Sequence, residues 1–137
     1  MSSVPESERQ KGKLFALTKA LYLTTYTIKI TKNPKTFDPT YNNAITADII
    51  HTAKDMYTSA WTANNIRVDG NAEKAHERLN LQVHAIQQCN ALFPMIEIAY
   101  KIFHLSSKRV RYWARLVAET KESLTSWHES DVKRYRM

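Results

Sequence analysis

Apolar residues recur every three or four positions along four long stretches of the chain, a spacing typical of one face of an α-helix. This pattern predicts helices over residues 11–31, 42–64, 72–104 and 107–131. The second half of the first stretch is rich in threonine, which favours extended structure, but the helical repeat continues through it. We therefore predict an all-α protein.

Each predicted helix has an apolar stripe that we expect to face a shared core. The predicted stripes are Leu14, Leu17, Leu21, Thr24 or Thr25, and Ile28 in the first helix; Ile45, Ile49, Ala53, Met56, Ala60 and Ala63 in the second; Leu79, Val83, Ile86, Cys89 or Asn90, Phe93, Ile96, Tyr100 and Phe103 in the third; and Val110, Trp113, Val117, Leu124 and Trp127 in the fourth. The small residues of the second stripe would allow another helix to approach closely.

Two prolines interrupt the chain between the first two helices. Pro34 and Pro39 lack a backbone N–H and restrict the residue before them, so residues 32–41 must form a connection. Phe37 and Tyr41 are expected to pin this connection onto the end of the bundle.

The other connections are shorter. Gly70 permits a backbone conformation that other residues tolerate poorly, and Asn71 can cap the third helix. Pro94 lies inside that helix. We predict that it kinks a single helix rather than dividing the segment into two helices. Ser106 or Ser107 caps the fourth helix, and this short turn forces the last two helices to lie antiparallel.

These elements define an antiparallel up-down four-helix bundle. We expect a flexible N-terminus over residues 1–10, the bundle over 11–131 and a basic C-terminal tail over 132–137. Only two glycines occur in 137 residues, which fits long helices that need few tight turns. A hydrophobic content of 43% is enough for one domain with a real core.

The single cysteine, Cys89, excludes a disulfide within the chain and indicates a reduced, cytoplasmic setting, with the thiol filling the core. No run of eighteen apolar residues is present and the N-terminus is charged, so we expect neither a membrane span nor a signal peptide.

Basic residues outnumber acidic ones, giving a formal net charge of +7 and a pI near 9.6. Such a balance favours phosphate-rich polymers or acidic surfaces as partners. Between Glu97 and Glu119 the chain carries five cations and no acidic residue. Predicted contacts to nucleic acid or an acidic protein are Lys101, Lys108, Arg109, Arg111 and Arg115, with Arg67 and the tail residues Lys133, Arg134 and Arg136. Lys108, Arg111 and Arg115 share one helix face, opposite the apolar stripe.

Several aromatic residues could belong either to the core or to a binding surface. Trp113 and Trp127 fall on the apolar stripe and are predicted core anchors. Tyr112 and Tyr135 lie beside arginines, where stacking on unpaired bases and packing in an interface are both open. Trp61 lies off the alanine stripe and could anchor a partner protein.

No constellation in the sequence predicts catalysis. Asp48 with His51, and Glu73 with His76, have the carboxylate-x-x-His spacing of di-metal bundles. Both pairs lie near the N-termini of helices that run antiparallel, which places them at opposite ends of the bundle. We therefore expect no metal, no cofactor and no enzymatic activity.

Four segments of the chain resemble a known family. They are YTIKITKNPKTFDPTYNN (26–43), ANNIRVD (63–69), RLNLQVHAIQQCNALFPMIEIAYKIFHLS (78–106) and VRYWARLVAETKESLTSWHESDVKR (110–134). Together they are similar to the accessory variability determinant proteins of diversity-generating retroelements. This family belongs to a wider group of four-helix proteins that includes those encoded in intervening sequences of ribosomal RNA genes. Pro94 departs from the helix-forming residue expected at its position.

The resemblance implies a basic bundle that assembles as a homopentameric ring. It also implies binding to the retroelement's reverse transcriptase and to template RNA, or RNA with its cDNA, during mutagenic cDNA synthesis, with all chemistry carried out by the polymerase. Two alternatives stay open: a basic helical module that binds only protein, and a ribosomal-RNA-associated bundle without a reverse transcriptase partner.

Overall fold

The chain folds into four long helices arranged as an antiparallel bundle, as predicted. The computed structural model describes the backbone of residues 6–135 and the side chains of residues 11–135. The helices are α1 (Glu6–Thr31), α2 (Ala47–Asn64), α3 (Ala72–Phe103) and α4 (Ser107–Tyr135). A 3-10 turn, Pro39–Tyr41, and a π-helical turn, Asn42–Thr46, lead into α2. Helices α1 and α3 each pack against both α2 and α4, so they occupy opposite corners.

Three helix boundaries differ from the prediction. Helix α2 begins at Ala47 rather than at residue 42, because residues 42–46 form the π-helical turn. Helix α1 begins at Glu6, within the segment expected to be flexible, and residues 1–5 lie outside the described part of the chain. Residues 6–10 contain glutamate, arginine and glutamine, which favour helix despite offering no apolar repeat. Helix α4 continues to Tyr135, so its last turn includes most of the predicted basic tail.

The predicted core stripes of α2 and α4 are confirmed. All six predicted positions of α2 are buried, as are four of the five in α4, while Val110 is half-buried. Trp113 is fully buried, and its indole N–H donates to the Thr27 hydroxyl at 3.0 Å. Trp127 is also buried. The two tryptophans therefore fix which face of α4 turns towards the other helices.

The predicted stripe of α1 is wrong in its orientation. Leu14 and Leu21 are 60% and 45% exposed, whereas Ala16, Ala20 and Leu23 are fully buried. The predicted positions Leu17 and Ile28 are half-buried, Thr24 is buried, and Thr27 and Thr31 join it in the core. Small residues on the inner face allow α1 to lie close to its neighbours, and this close approach outweighs burial of the larger leucines.

In α3 the buried face is shifted from the predicted one. Leu79, Cys89 and Ile96 are buried as expected, but Ala85, Leu92 and Ala99 replace the larger predicted residues at the centre. Val83, Ile86, Phe93, Tyr100 and Phe103 are only half-buried. Burial raises the pKa of the Cys89 thiol to about 12, consistent with its predicted role as a core residue. Helix α3 runs through Pro94 as one element.

The connections follow the predicted turn chemistry. Phe37 is buried, and its ring lies 4.7 Å from that of Phe103 and 6.2 Å from that of Trp113. Gly70 has a φ of 78°, and the Asn71 side chain accepts a hydrogen bond from the Lys74 N–H at 3.1 Å.

Among residues 6–135, no helix combines the length and apolar character that crossing a membrane would require.

The burial of Trp113 leads to a stability prediction. Trp113→Ala should lower the free energy of unfolding by about 3–5 kcal/mol, because it leaves a cavity and removes the donor to Thr27. Urea denaturation followed by far-ultraviolet circular dichroism, at fixed protein concentration, measures the change.

Trp61→Ala is the matched control, since Trp61 is 52% exposed. It should change the free energy of unfolding by less than about 0.5 kcal/mol. Equal effects of the two substitutions would contradict the packing described for α4.

Candidate nucleic-acid interface

The turn between α3 and α4 brings the cations of two helices together. His104 adopts the left-handed conformation with a φ of 54°, which ends α3 and reverses the chain within three residues. The Ser106 hydroxyl then accepts a hydrogen bond from the Arg109 N–H at 3.2 Å and caps α4, confirming one of the two predicted caps. The end of α3 and the start of α4 are therefore neighbours.

Five predicted cations lie around this turn, and we call this set the cationic face. It consists of Lys101, Lys108, Arg109, Arg111 and Arg115. Arg109 is half-buried and the other four are exposed. Among the side chains of residues 11–135, none of the five forms a salt bridge with a carboxylate. No carboxylate among these side chains therefore neutralises the five charges.

Three further cations lie at the same end of the bundle and were missed in the sequence. Lys29, Lys32 and Lys35 are exposed on the last turn of α1 and on the following connection. The packing of Phe37 against Phe103 and Trp113 holds this connection beside the turn between α3 and α4. The predicted up-down topology could have revealed these three lysines, because it places the α1–α2 and α3–α4 connections at the same end of the bundle.

A tyrosine cluster borders the cationic face between α1 and α4. The Tyr22 and Tyr112 hydroxyls lie 3.0 Å apart, and the rings of Tyr26 and Tyr112 meet edge to face at 5.2 Å. The Arg115 guanidinium lies 5.2 Å from the centre of the Tyr112 ring. The hydrogen bond with Tyr22 raises the pKa of Tyr112. Burial raises the pKa of Tyr26, while the nearby charge of Arg109 opposes this shift.

The other predicted contact residues lie at the opposite end of the molecule. Arg67 is in the connection between α2 and α3, and Lys133 and Arg134 are in the last turn of α4. Helix α3, with 32 residues, separates the two ends by about 48 Å at 1.5 Å per residue. The predicted residues therefore form two separate groups. Arg136 lies outside the described residues.

One of the three described residues of the group at the opposite end is paired with a carboxylate. Arg67 lies 3.5 Å from the Asp69 carboxylate, and both side chains are largely exposed. The Arg134 guanidinium lies 5.3 Å from the centre of the Tyr135 ring. These residues line a cleft of about 640 Å³. The cationic face is thus the stronger candidate for binding a polyanion.

A buried polar network forms the floor of this cleft, and sequence reasoning missed it. The Arg78 Nε donates to the Asp131 carboxylate at 2.7 Å, and the Gln82 amide donates to the same oxygen at 2.7 Å. His128 Nδ1 donates to the Gln82 side-chain oxygen at 3.0 Å. The Arg78 guanidinium also lies 5.5 Å from the centre of the Trp127 ring. The charges are paired within the fold, so this network joins α3 to α4.

The two carboxylate-x-x-His pairs do not meet. Within the part of the chain that the structure describes, no three residues among histidine, cysteine, aspartate and glutamate lie close enough to hold a metal ion. A different histidine, His84, pairs with Asp55 at 2.6 Å. The hydrogen bond between His84 and Asp55 is the main cause of the lowered pKa of Asp55.

Comparison with known proteins identified no relative of this chain. The chain matches no protein-family model, no curated protein and no solved structure.

The network at the base of the cleft leads to a second stability prediction. Asp131→Ala should lower the free energy of unfolding by about 3–5 kcal/mol, because it leaves the Arg78 charge buried without a carboxylate. Thermal and urea unfolding of the variant measure the loss.

Arg67→Ala breaks the exposed ion pair at the same end of the bundle and should cost less than about 1 kcal/mol. If Asp131→Ala were as mild as Arg67→Ala, the network would not be a structural link between α3 and α4.

Proposed function

We propose that this chain is a non-catalytic accessory protein of a diversity-generating retroelement. In this role it binds the element's reverse transcriptase and template RNA in the cytoplasm and supports mutagenic cDNA synthesis. The observation that carries the binding role is the cationic face, whose five charges have no carboxylate partner among the described side chains. The assignment to a retroelement rests on the resemblance of residues 26–43, 63–69, 78–106 and 110–134 to that family.

The chemistry of the cationic face suits a phosphate backbone or an acidic protein surface. Lysine and arginine that neutralise phosphates release condensed counterions, and this release supplies much of the binding free energy. Side chains on a helix face that contact phosphates position a nucleic acid without reading its sequence. We therefore assign to this face a role in holding RNA or polymerase rather than in recognising particular bases by their edges.

The apolar residues that remain exposed support the proposed ring. Leu14 and Leu21, seven residues apart on α1, share one outward face, and Ile98 and Ile102 share a face of α3. Since α1 and α3 occupy opposite corners of the bundle, these apolar faces belong to different sides of the protomer. Contacts between unlike faces of identical subunits generate rings when the rotation closes. The number of subunits in the proposed homopentamer comes from the family resemblance.

The binding role can be tested by removing charge from the cationic face. Lys108→Ala, Arg111→Ala and Arg115→Ala, combined in one variant, should weaken binding to a structured RNA roughly tenfold or more, because three phosphate contacts are lost. The variant should keep its helical circular dichroism, since the three side chains are exposed. Filter binding at two salt concentrations provides the affinity and its salt dependence.

A matched control removes three exposed lysines elsewhere: Lys11→Ala, Lys54→Ala and Lys74→Ala. Both variants lose the same net charge, so a general charge effect would weaken them equally. Undiminished RNA binding by the first variant would contradict the assignment of the face. If the wild-type protein bound reverse transcriptase but no RNA at either salt concentration, the alternative of a protein-interaction module would replace the RNA role.

A further inference from the structure

Tyr22 presents an aromatic ring to solvent directly beside the cationic face. Its side chain lies on α1 and the residue is 50% exposed. One side of the ring packs against Tyr26, with the ring centres 6.4 Å apart and the planes inclined by 22°. Its hydroxyl is held by the Tyr112 hydroxyl at 3.0 Å. The ring is thus fixed in orientation and still exposed.

The cations around Tyr22 come mainly from α4. Tyr112 is hydrogen-bonded to the Tyr22 hydroxyl. The Arg115 guanidinium lies 5.2 Å from the centre of the Tyr112 ring. Lys108 lies one turn before Tyr112 and Arg111 lies next to it in the chain. Glu119, the next acidic residue along α4, is already paired with Lys19 at 3.0 Å. A polyanion bound along α4 would therefore pass beside the Tyr22 ring.

We propose that Tyr22 is a stacking platform for an unpaired base of an RNA held by the cationic face, which makes single-stranded RNA the preferred ligand. This inference rests on the proposed function and adds the class of RNA that is bound. Every nucleobase has a flat π-face, so stacking tolerates any sequence. Bases in a duplex are stacked on one another and cannot reach a protein side chain in this way. A ring already held by two tyrosines loses little freedom when a base stacks on it.

Tyr22 differs from Tyr41 and Trp61, two of the other exposed aromatic residues. Tyr41 is 41% exposed, but its ring packs edge to face on Phe103. Trp61 is 52% exposed and lies in the last turn of α2, at the opposite end of the bundle from Lys101 and Lys108. Tyr22 alone among these three combines an exposed ring with adjacent arginines on a neighbouring helix.

The test measures binding of Tyr22→Ala to a short unstructured RNA carrying a fluorescent purine analogue, and to the same RNA annealed to its complement. Alanine should weaken binding of the single strand about tenfold, the typical effect of removing one stacking aromatic. Binding of the duplex should not change. Quenching of the analogue by the wild-type protein should disappear in the variant. Tyr22→Phe keeps the ring and should retain most of the affinity and the quenching.

Two controls separate stacking from other effects. Trp61→Ala removes an equally exposed aromatic and should leave both affinities unchanged. The dependence of affinity on salt should be the same for Tyr22→Ala and the wild type, because no phosphate contact is lost. Size-exclusion chromatography should show that Tyr22→Ala keeps the oligomeric state of the wild type.

The possible results separate this inference from the proposed function. If Tyr22→Ala binds the single strand normally while the variant lacking Lys108, Arg111 and Arg115 does not, the stacking role is overturned and the cationic face stands. Equal loss of single-strand and duplex binding, or a changed oligomeric state, would also overturn it. If the wild-type protein binds neither RNA, this inference and the RNA-binding part of the proposed function both fall.

Discussion

The orientation of α4 depends on the burial of Trp113. Its indole is fully buried near the end of the bundle, donates to Thr27 on α1 and packs against Phe37 from the first connection. Because this side chain, together with Trp127, sets the rotation of α4, the residues on the opposite side of the helix must point outward. Lys108, Arg111 and Arg115 are on that side. The core and the charged surface are therefore two results of the same packing contact.

Helix α1 shows where an apolar repeat can mislead. Leucines at positions 14 and 21 recur with helical spacing, yet the buried face is built from alanine and threonine together with Leu23. Periodicity finds helices, but it cannot say which of two apolar faces turns inward. Two of the three buried threonines donate their hydroxyls within the helix: Thr24 to the Ala20 carbonyl at 2.9 Å and Thr31 to the Thr27 carbonyl at 2.8 Å. Their burial costs little for that reason.

The candidate site could be predicted in part. The cations around the turn between α3 and α4 are close in sequence, so their grouping followed from the short connection. Lys29, Lys32 and Lys35 join them only through the tertiary packing of Phe37. Arg78 was missed for another reason: an arginine in sequence is expected on the surface, and only the fold reveals that Asp131, 53 positions later, neutralises it.

Pro94 has a consequence for the mechanics of α3. A proline inside a helix removes the hydrogen bond to the carbonyl four residues earlier, which is that of Asn90. Both residues are exposed, whereas Cys89 and Leu92 on the inner side are fully buried. Solvent can hydrate the freed carbonyl, so the interruption carries no desolvation penalty. The missing hydrogen bond of α3 therefore lies on the outer surface of the bundle. Bending of the helix at this point would leave its buried residues packed against α2 and α4.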